Sequence, residues 1–228
     1  GLVVGRQRII QDNARFVGNV GWRQNEQTFD AVRGTAKFGR FSLDAAYAIS
    51  QRTIFGVDSP NGHFDGNIVL LNASFETKSI KFVTFSQLID YDTRIAFSSQ
   101  TYGVRATGGF ALGGGIKLEG VASFATQSDY GRNPVNYRAE YYNLEASLNT
   151  AAWAFKGGYE ELGSDKGKAA FQTPLATLHA FNGWADLFLT TPSTGLRDYY
   201  VVASYKFVHV KALPGLNLTA TWHRFDSD

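Results

Sequence analysis

Eight basic side chains carry the most chemistry in this sequence: Arg6, Arg8, Arg23, Arg33, Arg105, Lys117, Lys156 and Lys206. Arg6 and Arg8 stand two residues apart and so share one face of an extended chain. Arg105, Lys117, Lys156 and Lys206 fall on the polar positions of alternating stretches, and Arg23 and Arg33 flank the segment 24–31. A guanidinium presents a planar fork that matches a carboxylate. A ring of such cations around a narrow, partly dehydrated passage attracts carboxylates and passes anions. The competing account is local neutralisation, in which the same cations pair with Asp44, Glu119, Glu145, Glu160 and Asp198 on neighbouring strands.

Other reactive groups are scattered. His63, His179, His209 and His223 do not pair at metal-ligand spacing, and neither HExxH nor GxSxG occurs. The pattern therefore points to no catalytic centre, no metal site and no cofactor. Gly113–Gly115 reads as a turn, without the Lys-Ser/Thr of a phosphate loop. Asp90, Asp92 and Asp129 read as solvated loop charges, too few for a specific Ca²⁺ site. A net charge of +2 gives no basic field for nucleic acid, and with no Cys there is neither a disulfide scaffold nor a thiolate metal site.

The segment 162–195 is too long for a plain connector. Its apolar residues, including Phe171, Leu175, Leu178, Phe181 and Trp184, recur at three- and four-residue spacing, with Pro174 near the start. This predicts a short amphipathic helix or a loop folded into a mouth. Phe171, Pro174, His179 and Trp184 are then a constriction or gate, against the alternative of an outer loop packed on itself.

The elements that must hold these groups are strands. Of the 228 residues, 44% are hydrophobic and 14% aromatic, with 24 Gly against 5 Pro. That composition favours strands joined by tight turns. Apolar Phe41, Leu43, Ala45, Tyr47 and Ile49 alternate with Ser42, Asp44, Ala46, Ala48 and Ser50, and similar stretches recur to Trp222. Alternation of this kind puts one apolar face opposite one mostly polar face. No apolar run approaches the roughly 20 residues of a spanning helix, but strands of about ten residues suit a bilayer when tilted. Tyr47, Tyr102, Tyr130, Tyr159, Trp22, Trp153 and Trp222 read as interfacial aromatics near strand ends.

Strands are predicted near 1–10, 27–38, 40–51, 65–77, 78–89, 98–110, 115–127, 137–149, 151–161, 196–208 and 215–225. The links between them alternate long and short throughout, the rhythm of outer loops and tight periplasmic turns in an outer-membrane barrel. The fold class expected is all-β: a single-domain transmembrane antiparallel up-and-down β-barrel over 1–228, with eleven or twelve strands visible. Because the count is odd, the first and last strands run the same way and cannot pair antiparallel. Either a strand hides inside 162–195, or the chain belongs to a larger barrel. The polar ending Phe225-Asp226-Ser227-Asp228, which reads as the start of another outer loop, favours the second.

The stretches 5–8, 12–18 and 21–31 resemble the alginate-export family of outer-membrane β-barrels. So do Ser98–Arg105 and the run Phe171-Gln172-Thr173-Pro174-Leu175-Ala176-Thr177-Leu178-His179-Ala180-Phe181, with Gly183-Trp184-Ala185-Asp186 and Thr190-Thr191-Pro192 after it. The resemblance spans nearly the whole chain. It implies a non-enzymatic channel in a bacterial outer membrane, with the lipid bilayer as partner. Its basic lumen would pass anionic solutes or export an acidic polysaccharide such as alginate, with Arg6, Arg8, Arg23, Arg33 and Arg105 as a functional set. The alternative is a structural or incomplete barrel plugged by 162–195, acting in assembly or in contact with other envelope proteins.

Overall fold

The computed structural model describes residues 1–208, 210 and 212–228; His209 lies outside the described residues. The chain forms one antiparallel sheet of eleven strands, each paired with its sequence neighbours. They are β1 (Leu2–Gln7), β2 (Thr28–Phe38), β3 (Phe41–Arg52), β4 (His63–Glu76), β5 (Ile80–Tyr91) and β6 (Ser99–Gly113). After these come β7 (Ile116–Asp129), β8 (Arg138–Asn149), β9 (Trp153–Leu162), β10 (Leu196–Lys206) and β11 (Asn217–Asp226). β1 and β11 are the two edges.

Register turns the alternation of single strands into continuous rows. One row runs Phe41, Phe75, Phe82, Ala106, Ala122, Leu144, Tyr159 and Tyr199 across β3 to β10. Its members point outward: Phe41 is 56% exposed and Leu144 58%. An apolar face of this extent is what hydrocarbon solvates and water does not. The opposite face is concave and polar. One inner row runs Lys81, Thr107, Val121, Glu145, Gly158, Tyr200 and His223. Outward aromatics cluster at the turn end, where Trp153 lies 4.5 Å from Tyr205 and 5.7 Å from Phe155 between ring centroids. Of the expected interfacial aromatics outside the strands, Tyr130 directly follows the end of β7, whereas Trp22 lies within the loop before β2.

Curvature follows from what touches what. Phe16, between β1 and β2, sits 4.4 Å from the Phe85 ring of β5 and 5.1 Å from Tyr141 of β8. One side chain meets strands three apart only if the sheet curls around it, as twisted strands do when they close toward a barrel. Gly103 lets this happen at the wall: the Phe85 ring lies across it, and a Cβ there would fall 2.2 Å from Phe85 Cζ.

Long loops gather at one end, at 8–27, 53–62, 92–98, 130–137 and 163–195; the opposite end holds 39–40, 77–79, 114–115, 150–152 and 207–216. The last of these is longer than expected, because β10 stops at Lys206 and β11 starts only at Asn217, after Gly215 at φ +86°. Among the described residues no strand and no amphipathic helix lies within 163–195, only a 3-10 turn at Leu178–Ala180 and a bridge from Ser164 to Ala170. Asn182, Gly183 and Asp186 take positive φ there, a left-handed backbone that a helix does not continue through.

The cores lie between the inner face and the two longest loops. One cluster joins Val17 and Leu175 to Phe29, Ala48, Ile68, Ile89 and Tyr91; a second joins Phe16 and Phe171 to Phe85, Ala125, Tyr141 and Leu162.

Candidate functional site

The candidate site is the concave inner face, and its two halves differ. At the loop end, 8–27 and 163–195 fold onto the wall and onto each other. Gly18 N–H donates to Leu175 O at 2.9 Å and Thr177 N–H to Ala14 O at 3.0 Å. The contact is close enough to require glycine, since a Cβ on Gly18 would meet Thr177 Oγ1 at 2.0 Å. Gln27 Nε2 then donates to Gly18 O and Leu175 O, and Gln51 Nε2 to Gln27 Oε1 and Pro174 O. Gln51 reaches inward because of a β-bulge at Ile49, which shifts the register between Ala48 and Ser50.

A buried ionic cluster fastens both loops to the wall. Arg15 is 2% exposed and grips Glu160 of β9 through Nε–Oε1 at 2.7 Å and Nη2–Oε2 at 3.2 Å. Nη1 donates to Thr173 Oγ1 and Nη2 also to Asn182 Oδ1 of the second loop. Glu160 also accepts from Tyr141 Oη at 2.6 Å and Asn182 Nδ2 at 2.7 Å. Beside it, Asp198 of β10 receives His223 Nδ1 of β11 at 2.8 Å. Burial opposes the Arg15 charge, and Glu160 more than offsets that, leaving the guanidinium above its ordinary range. Asp12, in the same loop, reaches Arg105 Nη1 at 2.9 Å and Lys81 Nζ at 3.1 Å.

Toward the turn end no loop covers the wall among the described residues. A concave space of about 590 Å³ is lined by Lys81, Lys117, Lys156, Glu119, Glu145 and Ser147, among others. Lys117 pairs with Glu119, and Lys156 Nζ lies 3.3 Å from Glu145. These ammonium groups are half exposed, so each stays hydrated and mobile enough to exchange a carboxylate of the wall for one that arrives.

The sequence-predicted residues divide accordingly. Arg33 is on the inner face, forked onto Asp44 with Nε–Oδ1 at 3.0 Å. Arg105, Lys117 and Lys156 are also inward, and Lys206 shares the inward parity of Ser204 and Val202, with no carboxylate partner among the described residues. Arg6 is not luminal: the register sets it opposite Asp30, on the outward line of Val4 and Val32, where Asp30 also takes Arg52 at 3.6 Å. Arg8 does not share its face, because β1 ends at Gln7; it pairs with Glu26 at 2.7 Å. Arg23 lies in the first loop, 4.2 Å over the Trp22 ring and 3.7 Å from Asp186.

The four gate candidates do not form one constriction. Phe171 is fully buried in a core cluster, while Trp184 is 83% exposed. The Pro174 carbonyl is held by Gln51, and His179 bonds Asp186 at 2.8 Å with the Trp22 ring tilted against it at 4.0 Å. Of the expected neutralising carboxylates, Asp44, Glu119 and Glu145 do pair with the predicted cations, whereas Glu160 and Asp198 take Arg15 and His223. Asp90 and Asp92 face Arg132, and Asp129 accepts from the Tyr137 N–H. Arg15 and Asp12 are the important residues the pattern missed. Arg15 and Asp12 fall within the stretch 12–18 that carried the family resemblance, which was the one signal available for them.

No protein-family model and no curated protein sequence matches the chain. Solved structures do. Pseudomonas aeruginosa OpdO is 15% identical with a TM-score of 0.73, over 99% of this chain and 59% of that one. P. aeruginosa OccK2 (OpdF), solved in complex with glucuronate, is 12% identical with a TM-score of 0.75, over 99% and 60%. Acinetobacter baumannii OccAB3 is 14% identical with a TM-score of 0.71, over 100% and 58%. The chain thus has the fold of an outer-membrane porin wall, as its periodicity predicted, and spans less than two thirds of each porin it matches. The likeness runs to the Occ/Opd porins and does not single out alginate export.

Proposed function

We propose that this chain forms the wall and the folded-in mouth loops of a Gram-negative outer-membrane channel that passes small anionic solutes by diffusion, with no enzymatic step. The observation that carries the reading is the division of faces. A continuous apolar surface looks outward, and a concave polar surface holds Lys81, Lys117 and Lys156 around about 590 Å³ of open space. The Occ/Opd likeness supports it, and the glucuronate in one of those structures is a carboxylate of the expected scale. Solutes of that size suit the mouth better than a polymer, because 8–27 and 163–195 cover its inner wall. Export of an acidic polysaccharide such as alginate, which the sequence resemblance implied, requires both loops to swing aside. The plugged-barrel reading has the same packed loops in its favour, with assembly or contact with other envelope proteins as its role.

Planar-bilayer recordings test this. The purified protein is expected to conduct, with a reversal potential in a KCl gradient on the chloride side. Lys117→Glu with Lys156→Glu moves that potential toward potassium. Absence of conductance selects the plugged barrel, and conductance whose selectivity ignores both substitutions removes the lysines from the pathway.

A further inference from the structure

Two histidines outside the lysine-lined space each pair with an aspartate, and both pairs bear on one stretch of the long loop, residues 178–190. His179 Nδ1 lies 2.8 Å from Asp186 Oδ1, which closes the stretch on itself, and Arg23 of the first loop reaches the same aspartate at 3.7 Å. His223 Nδ1 of β11 lies 2.8 Å from Asp198 Oδ1, while Asn182 Nδ2 donates to Asp198 Oδ2 at 3.4 Å and to Glu160 Oε2 at 2.7 Å. The register sets Asp198 directly opposite Glu160, and both are buried. Like charges so placed repel, and each needs its own cation. Arg15 answers Glu160, which leaves His223 to answer Asp198. His223 also faces Tyr200 of β10, at 5.6 Å between ring centroids, whose Oη donates to Glu145; Arg224 and Asp226 of its own strand pair with each other at 3.2 Å. Beside His179 the charged groups are Asp186, Arg23 and Arg94, which line one cleft with it.

The start of the loop is fastened differently. Gln127 Nε2 donates to the Gln172 carbonyl at 2.8 Å and Gln51 Nε2 to that of Pro174 at 3.1 Å, and each glutamine accepts from a tyrosine, Tyr137 and Tyr91. Neither amides nor tyrosines ionise near neutral pH, so these clamps are indifferent to it. Beyond them Trp184 and Leu187 are exposed, and Phe188 leans on Phe225, whose ring stacks on His223 at 5.4 Å. From this arrangement we propose that 178–190 is a pH-dependent flap at the channel mouth, held down while His179 and His223 are protonated and released as they lose their protons. With both histidines protonated, Arg15 and His223 balance the two buried carboxylates. Loss of a proton there, whichever of His223 and Asp198 surrenders it, leaves a buried negative charge unanswered beside Asn182. At Asp186 the same loss reduces an ion pair to a hydrogen bond. Closure therefore weakens as pH rises through the histidine range, roughly 5 to 8. The flap's purpose rests on the channel reading; its movement does not.

The sequence has no Cys, so two introduced cysteines can carry spin labels: Leu187→Cys on the flap and Val104→Cys on the outward face of β6, both at exposed positions. Dipolar distances between the labels are measured on the detergent-solubilised protein frozen at about pH 5.5 and about pH 8.5, which bracket the histidine titration. A single narrow distance is expected at the lower pH, and a longer one with a distribution about twofold broader at the higher. Adding His179→Gln together with His223→Gln abolishes the response to pH. The same distribution at both pH values overturns the flap, as does a response that survives both substitutions. Should His223→Gln fail to fold, His179→Gln alone must reduce the response, and an undiminished one overturns the flap equally. A pH-dependent distance in a protein that does not conduct leaves the flap standing and removes the channel. Conductance with a distance indifferent to pH does the reverse.

Discussion

The loop end and the turn end of the inner face are built from the same alternating strands and behave as different materials. At the loop end, Phe16, Phe171 and Leu175 drive a dry core against the wall, and the charged pair Arg15–Glu160 beside it is dehydrated and fully bonded. At the turn end, Lys117–Glu119 and Lys156–Glu145 are of the same chemical kind but stand in open space. A buried pair with one member removed leaves an uncompensated charge, whereas an exposed pair is screened and contributes little. An ion pair is therefore structural or available according to what covers it, not according to which residues compose it.

Substitutions can break that contrast, and the largest effect belongs to the buried pair. Glu160→Ala is expected to destabilise by about 3–5 kcal/mol, read as a lowered midpoint of denaturant unfolding in detergent. Replacing both partners, as Arg15→Met with Glu160→Leu, recovers most of the loss, since no orphan charge remains. Phe171→Ala follows at about 3–5 kcal/mol from lost burial and the cavity left behind. Trp184→Ala in the same loop stays within about 0.5 kcal/mol, because that ring is already exposed. Gly18→Ala is expected to cost about 1–3 kcal/mol through its clash with Thr177. It should also raise proteolytic cleavage within 163–195 while the strands stay protected. Lys117→Ala also costs little, below about 1 kcal/mol and diminishing further as salt rises. A loss at Lys117 as large as at Glu160 would erase the distinction between the two ends.

Much of the wall was legible in the residues. Each of the eleven predicted stretches holds a strand, although β1 stops at Gln7, short of residue 10; a period of two depends only on neighbours along one chain. Periodicity fails at particular residues. One extra residue, Ile49, turns Gln51 from the outward face to the centre of the loop cluster, and no local pattern announces a bulge. Arg6 has the residue type of a pore cation but the parity of Val4, and only pairing with β2 shows which face that is. In 163–195 the three- and four-residue spacing suggested a helix. Those side chains instead serve two destinations, Phe171 and Leu175 in the cores and Trp184 in solvent.

The succession of antiparallel strands and the greasy outer surface were determined by the sequence alone, since both follow from which side chains alternate, whereas the choice between eleven strands and twelve fell to the structure. Which cations stay exposed on the inner face was decided only in the tertiary structure. That choice depends on where two loops without periodicity come to rest, and their resting place is fixed by contacts such as Arg15 to Glu160, 145 positions apart along the chain.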